Sequence, residues 1–163
     1  MNIPALYKRI REELPDEVSF GCGGIKLFGT TDIENAQVGY SVAPDGTTLS
    51  SEDKGGWRSS WLVIGNETGC GDPLFIDIDA PELPVLTAMH GEEQWTATEV
   101  AGSAETFAKC LEEFSRISIG RRNSLEREVN PVSDDERRSF LTRIAQLNRL
   151  SDAPPFWDIL LEF

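Results

Sequence analysis

Apolar residues recur at helical spacing in three stretches of the chain. Ile3, Leu6, Tyr7, Ile10 and Leu14 predict a short amphipathic helix over residues 3–14, closed by Pro15. Phe107, Cys110, Leu111, Phe114 and Ile117 make a second stripe behind the capping residue Ser103. Phe140, Ile144 and Leu147, with Leu141 beside them, make a third. It follows Ser133 and Glu136, which are spaced as a capping box. Asp134 and Asp135 add negative charge where a helix N-terminus favours it.

Between the first two stripes the pattern changes to short apolar runs broken by turn residues. "SFGCGG" reads as a turn, and "IKLFG" (25–29) as a strand. "TTDIENAQ" fits a helical turn or a strand connection equally well. "VGYSV" is a weak strand, and the polar residues 44–56 form the loop best suited to mobility in the front half. "SWLVIG" has the β-branched and aromatic content of a buried strand. "PLFIDID" alternates, with Leu74, Ile76 and Ile78 on one face and Phe75, Asp77 and Asp79 on the other. "LPVLTAM" and "QWTATEVA" follow, joined by "HGEE", where Gly91 suits a hairpin. Residues 59–101 therefore predict antiparallel strands joined by short turns, whose apolar face the helix after Ser103 covers. Residues 118–132 read as a polar connection. The apolar "PPFWDILLEF" is expected to fold back onto the body rather than stay an exposed contact surface. The whole predicts one α+β domain: an antiparallel-rich meander sheet flanked by helices, with extra C-terminal helices over 118–163 packed on the same domain as 1–117.

Composition agrees with a single domain. The chain has 163 residues, 39% of them hydrophobic, enough for a sizeable core. No apolar run nears the roughly 20 residues that span a bilayer. "MNIPALYKRIREELP" has charges within its apolar pattern and no small-residue cleavage site, so the expected location is the cytoplasm. Cys22, Cys70 and Cys110 are far apart and odd in number, which predicts small buried thiols rather than disulfides or a zinc site. Net charge is −13, and all of the excess lies in residues 1–115, which hold 7 Lys/Arg against 20 Asp/Glu. Such a body repels nucleic-acid backbones and membrane surfaces and speeds encounter with basic proteins.

The candidate chemistry is sparse. The turn Gly69-Cys70-Gly71-Asp72 opens a strand, not a helix, and lacks the Lys of a phosphate-binding loop. Its glycines are expected to supply positive φ at a tight hairpin. Asp77 and Asp79, on one strand face, would stand roughly 7 Å apart. Such a separation suits a divalent ion or a carboxylate pair, but a solvated strand face is the simpler reading. His90 is the single histidine and reads as a turn residue, which leaves no nucleophile triad and no multi-His metal centre. Trp57, Trp61 and Trp95 are not interleaved with basic residues, against nucleic-acid binding. Arg137, Arg138, Arg143 and Arg149 are offset by nearby acids, as on a solvated helix face.

The order of Trp57, Trp61, Ile64-Gly65, Gly69, Gly71-Asp72 and Phe75-Ile76-Asp77 resembles the SUKH superfamily. That superfamily includes the fungal Smi/Knr cell-wall regulators and many bacterial toxin-immunity proteins. Leu14-Pro15 and Gly23-Gly24 resemble its upstream signals, and the likeness spans about residues 10–117. The resemblance implies a strand, a Gly-Asp turn, a second strand, a further strand pair and a helix. It makes Trp57, Trp61, Gly65, Gly69, Gly71, Asp72, Phe75 and Asp77 elements of the fold, with Asp72 bonding local backbone N–H groups. It also implies a non-enzymatic protein-binding domain, with no cofactor and no metal. The partner would be a basic toxin domain such as a nuclease, whose phosphate-binding groove an acidic surface can occupy. A regulatory scaffold binding endogenous proteins is the alternative, docking through the Arg-bearing helix and the apolar tail. A hydrolase using Asp72, Asp77 or Asp79 is the third. Glu52, Asp53, Glu92 and Glu93 are candidate partner contacts on their loop or turn positions.

Overall fold

Among the described residues, six strands pair in chain order into one antiparallel sheet. They are β1 (Glu17–Phe20), β2 (Gly23–Leu27), β3 (Trp61–Glu67), β4 (Pro73–Asp77), β5 (Val85–Thr87) and β6 (Thr98–Ala101). The helices are α1 (Ala5–Glu13), α2 (Ile33–Ala36), α3 (Ala104–Ile117), α4 (Ser124–Val129), α5 (Asp134–Asn148) and α6 (Pro155–Leu160). The structure is a computed structural model and describes residues 3–91 and 94–163. Its class is α+β, with the predicted meander at its centre.

Several boundaries differ from the sequence pattern. The turn expected at "SFGCGG" is narrower, because Val18 pairs with Ile25 and makes residues 17–20 a strand. Four residues with two apolar positions give too short an alternation to read. "VGYSV" forms only isolated bridges, Val38 with Val42 and Val42 with Thr48. The strand expected over 94–101 begins at Thr98; upstream, Trp95 N–H donates to the Gly55 carbonyl at 2.8 Å instead. "TTDIENAQ" holds the helical turn α2. The connection 118–132 contains α4, which buries no residue and so left no apolar stripe.

One face of the sheet carries the main core. Leu62, Ile64, Leu74, Ile76, Val85 and Val100 meet Phe107, Cys110, Leu111 and Phe114 of α3 and Phe140 and Ile144 of α5. Into the same core the tail inserts Trp157, which is fully buried. Its ring centroid lies 6.1 Å from that of Phe114 and 6.2 Å from those of Phe107 and Phe140. Its Nε1–H donates to the Val100 carbonyl of β6 at 2.9 Å. An indole that fills a core and also satisfies its polar edge fixes the segment strongly.

Arginines hold the helical layer in place. Arg137, expected on a solvated face, is partly buried and ties α5 to Asp158 of α6 at 2.7 Å and to Glu162 just beyond it at 2.5 Å. Arg127 donates to the carbonyls of Leu161 and Glu162. Buried Arg121 donates to the Ile117 and Asn130 carbonyls and to Glu136. Buried Arg11 ties α1 to the β2 end through the Leu27 and Phe28 carbonyls and to Asp16. The capping box is present, with Ser133 Oγ accepting from Glu136 N–H and Glu136 accepting from Ser133 N–H. Arg149 ends α5 in the left-handed region, at φ 57°.

Two outcomes follow for stability. Trp157→Ala should cost about 3–5 kcal/mol in urea unfolding, the usual penalty for emptying a buried aromatic site. The second concerns Glu136, whose carboxyl is held down at about 2 by the Ser133 N–H, then by Arg121 and the Ser133 hydroxyl. A folded pKa below the unfolded one means stability that is present above the usual carboxylate pKa and lost as pH falls toward about 2. The side chain is 45% exposed, so solvent reduces the effect to about 1 kcal/mol. Glu136→Gln should remove that part of the slope between about pH 4.5 and pH 2 in acid titrations of unfolding.

Candidate functional site

The β3–β4 hairpin is buried on both faces. Opposite the main core, Trp61, Val63 and Phe75 join Trp57 and Ala88 in a second cluster. Trp57 is its hub, with ring centroids 4.8 Å from Phe75, 4.9 Å from Tyr40, 5.1 Å from Trp95 and 5.3 Å from Trp61. The solvated face expected for Phe75, Asp77 and Asp79 is therefore covered at Phe75, which is fully buried. The tryptophans upstream of the strand supply the cover, and strand alternation alone does not report them.

Gln37 is a buried residue whose role the sequence did not reveal. Its amide accepts from Val63 N–H at 3.0 Å and donates to the Val63 carbonyl at 2.9 Å. β2 pairs with β3 only from Gly65 onward, so Gln37 stands in for the β2 partner that Val63, paired with Phe75 on its other side, lacks. Gly65 lies at a register shift in β3, packed against the Lys26 carbonyl.

The Gly-Asp turn is held differently from expectation. Buried Glu67, not Asp72, satisfies the local backbone: its carboxylate accepts from the N–H groups of Gly69 and Cys70. Asp72 reaches across to His90, taking its backbone N–H at 3.0 Å and contacting Nδ1 at 2.8 Å. His90 thus ties the end of β5 to this turn. Gly71 has φ of +85°, as a tight turn requires. Gly69 does not take positive φ. It is small because the Phe163 ring lies on it, and a Cβ there would come within 2.5 Å of Phe163 Cε1.

The remaining candidates scatter. β4 ends at Asp77, whose carboxylate accepts from Asp79 N–H, so the two do not share a strand face. Among the described residues no group of three or more His, Cys, Asp or Glu is placed to hold a metal ion. Cys110 is buried, and burial pushes its thiol up to about 12. Cys22 and Cys70 are exposed, contrary to expectation, because both lie in turns between strands rather than on a core-facing element. Glu52 and Asp53 are exposed neighbours, accepting from Ser59 and Ser51 hydroxyls. Glu92 and Glu93 lie outside the described residues.

Beside the Gly-Asp turn opens a groove of about 680 Å³, between the β5–β6 pair and residues 150–163. Neither Glu52 nor Asp53 lines it. No protein-family model, no curated protein and no solved structure matches this chain.

The turn and the tail should prove coupled. Gly69→Ala and Phe163→Ala are each expected to destabilise. Combined, they should lose less than their sum, with a coupling of about 1 kcal/mol in a double-mutant cycle of thermal unfolding. Strict additivity would show that Phe163 does not rest on Gly69.

Proposed function

We propose that this chain is a SUKH-type domain that binds and blocks a basic toxin protein, without catalysis of its own. One observation carries the reading: the motif residues are committed to folding, and the charge left at the surface is strongly negative. Trp57, Trp61 and Phe75 are buried against one another. Glu67 and Asp72 are engaged within the turn region and with His90. What remains for a partner is a body whose net charge of −13 arises in residues 1–115. A surface of this kind is complementary to a protein that must itself grip phosphates, and it raises the rate of their encounter. The meander order, with its Gly-Asp hairpin between β3 and β4 and a helix after β6, supports the family reading.

The test is a tagged pull-down from the source cell at about 0.1 M and about 1 M salt, across which the Debye length falls from about 10 Å to about 3 Å. The expected result is one basic protein, encoded beside this gene, held at low salt and weakened at high salt. Co-expression should suppress its toxicity. Several unrelated endogenous proteins would favour a regulatory scaffold. A neighbouring toxin that this chain neither retains nor suppresses would refute the proposal.

A further inference from the structure

The groove beside the Gly-Asp turn continues the main core outward past the end of α6. Thr87, which pairs with core residue Leu74, and Thr98, which pairs with Thr87, form part of its floor. Phe156 and Leu160 of α6 form a wall. Three large apolar side chains on its border are exposed: Met89 at 63%, Ile159 at 60% and Leu150 at 47%. They come from α6 and from the loops after β5 and α5, so the patch is a product of the tertiary fold.

The charged residues that line the groove have one sign. Glu67, Asp72, Glu99 and Asp152 contribute four carboxylates, and among the described residues no Lys or Arg lines it. Glu67 and Asp72 are held in the turn, whereas Glu99 and Asp152 are exposed. Apolar side chains from Met89, Leu150 and α6 beside two exposed carboxylates, Glu99 and Asp152, select an apolar occupant bordered by positive charge, and disfavour one bordered by acids through like-charge juxtaposition.

We infer that this groove is a protein-docking site for a segment presenting two or three neighbouring apolar side chains flanked by Lys or Arg. Its volume of about 680 Å³ has room for several side chains. Ile159 and Met89 are the apolar contacts, and Glu99 and Asp152 set the preference for basic flanks. The inference deepens the toxin-binding reading by naming the surface used, and it rests on that reading only for the identity of the partner.

A peptide titration tests it without a known partner. The probes are a synthetic peptide with a leucine cluster flanked by lysines, and its counterpart flanked by glutamates, followed by amide chemical-shift mapping on the whole chain. The lysine-flanked peptide is expected to move the resonances of Thr87, Met89, Thr98 and Ile159. The glutamate-flanked one should bind at least about tenfold more weakly, a difference of about 1.4 kcal/mol. Ile159→Glu and, separately, Met89→Glu should each weaken the lysine-flanked peptide about tenfold, and the pair Glu99→Lys with Asp152→Lys should reverse the preference. All four positions are exposed, so unchanged thermal transitions should verify folding. Equal binding of both peptides, binding mapped elsewhere, or variants that bind as the parent would overturn the inference. If a toxin is captured and Ile159→Glu retains it fully, the groove assignment fails while the toxin reading stands. If the peptide binds as stated but a neighbouring toxin is neither retained nor suppressed, the toxin reading fails and the groove stands.

Discussion

The fold depends on a single inserted side chain. Trp157 comes from the last helix, fills the space between α3, α5 and the sheet, and anchors its indole on the Val100 carbonyl. Without it, the aromatic side chains of Phe107, Phe114 and Phe140 would lose their common neighbour. The residues that follow are placed by that anchor. Arg137 and Arg127 hold α6 and the residues after it from α5 and α4, and Phe163 comes to rest on Gly69. One buried aromatic therefore sets the wall of the groove and closes over the Gly-Asp turn.

The glycine-rich turn serves two purposes. Gly71 makes the turn geometrically possible, and Gly69 makes room for the tail. Its acids serve as internal ligands: Glu67 replaces water at two backbone N–H groups, and Asp72 links the hairpin to His90. Buried polar groups must find such partners, and a turn enclosed by a C-terminal segment needs them more than an open one.

The larger elements were legible because periodicity reports burial. The helix stripes at 107–117 and 140–147, the capping box at Ser133 and the antiparallel run over 59–101 all follow from local pattern. The rest depended on partners far away in the chain. Nothing local marks Gln37 as a substitute strand partner, since its two bonds go to Val63. β1 and α4 were hidden by their brevity and by the absence of an apolar stripe. The second aromatic cluster was hidden because Trp57, Tyr40 and Trp95 lie outside the strands they cover. The groove was invisible for the same reason: Met89, Leu150 and Ile159 have no relation in sequence.

The tail is a structural part of the domain rather than an appendage. Amide hydrogen exchange on the free protein measures this most directly, because local opening is read residue by residue. The account predicts that the amides of Trp157, Leu160 and Leu161 exchange nearly as slowly as those of β3 and β4. Exchange there at the rate of an unstructured chain, with β3 and β4 still protected, would contradict it.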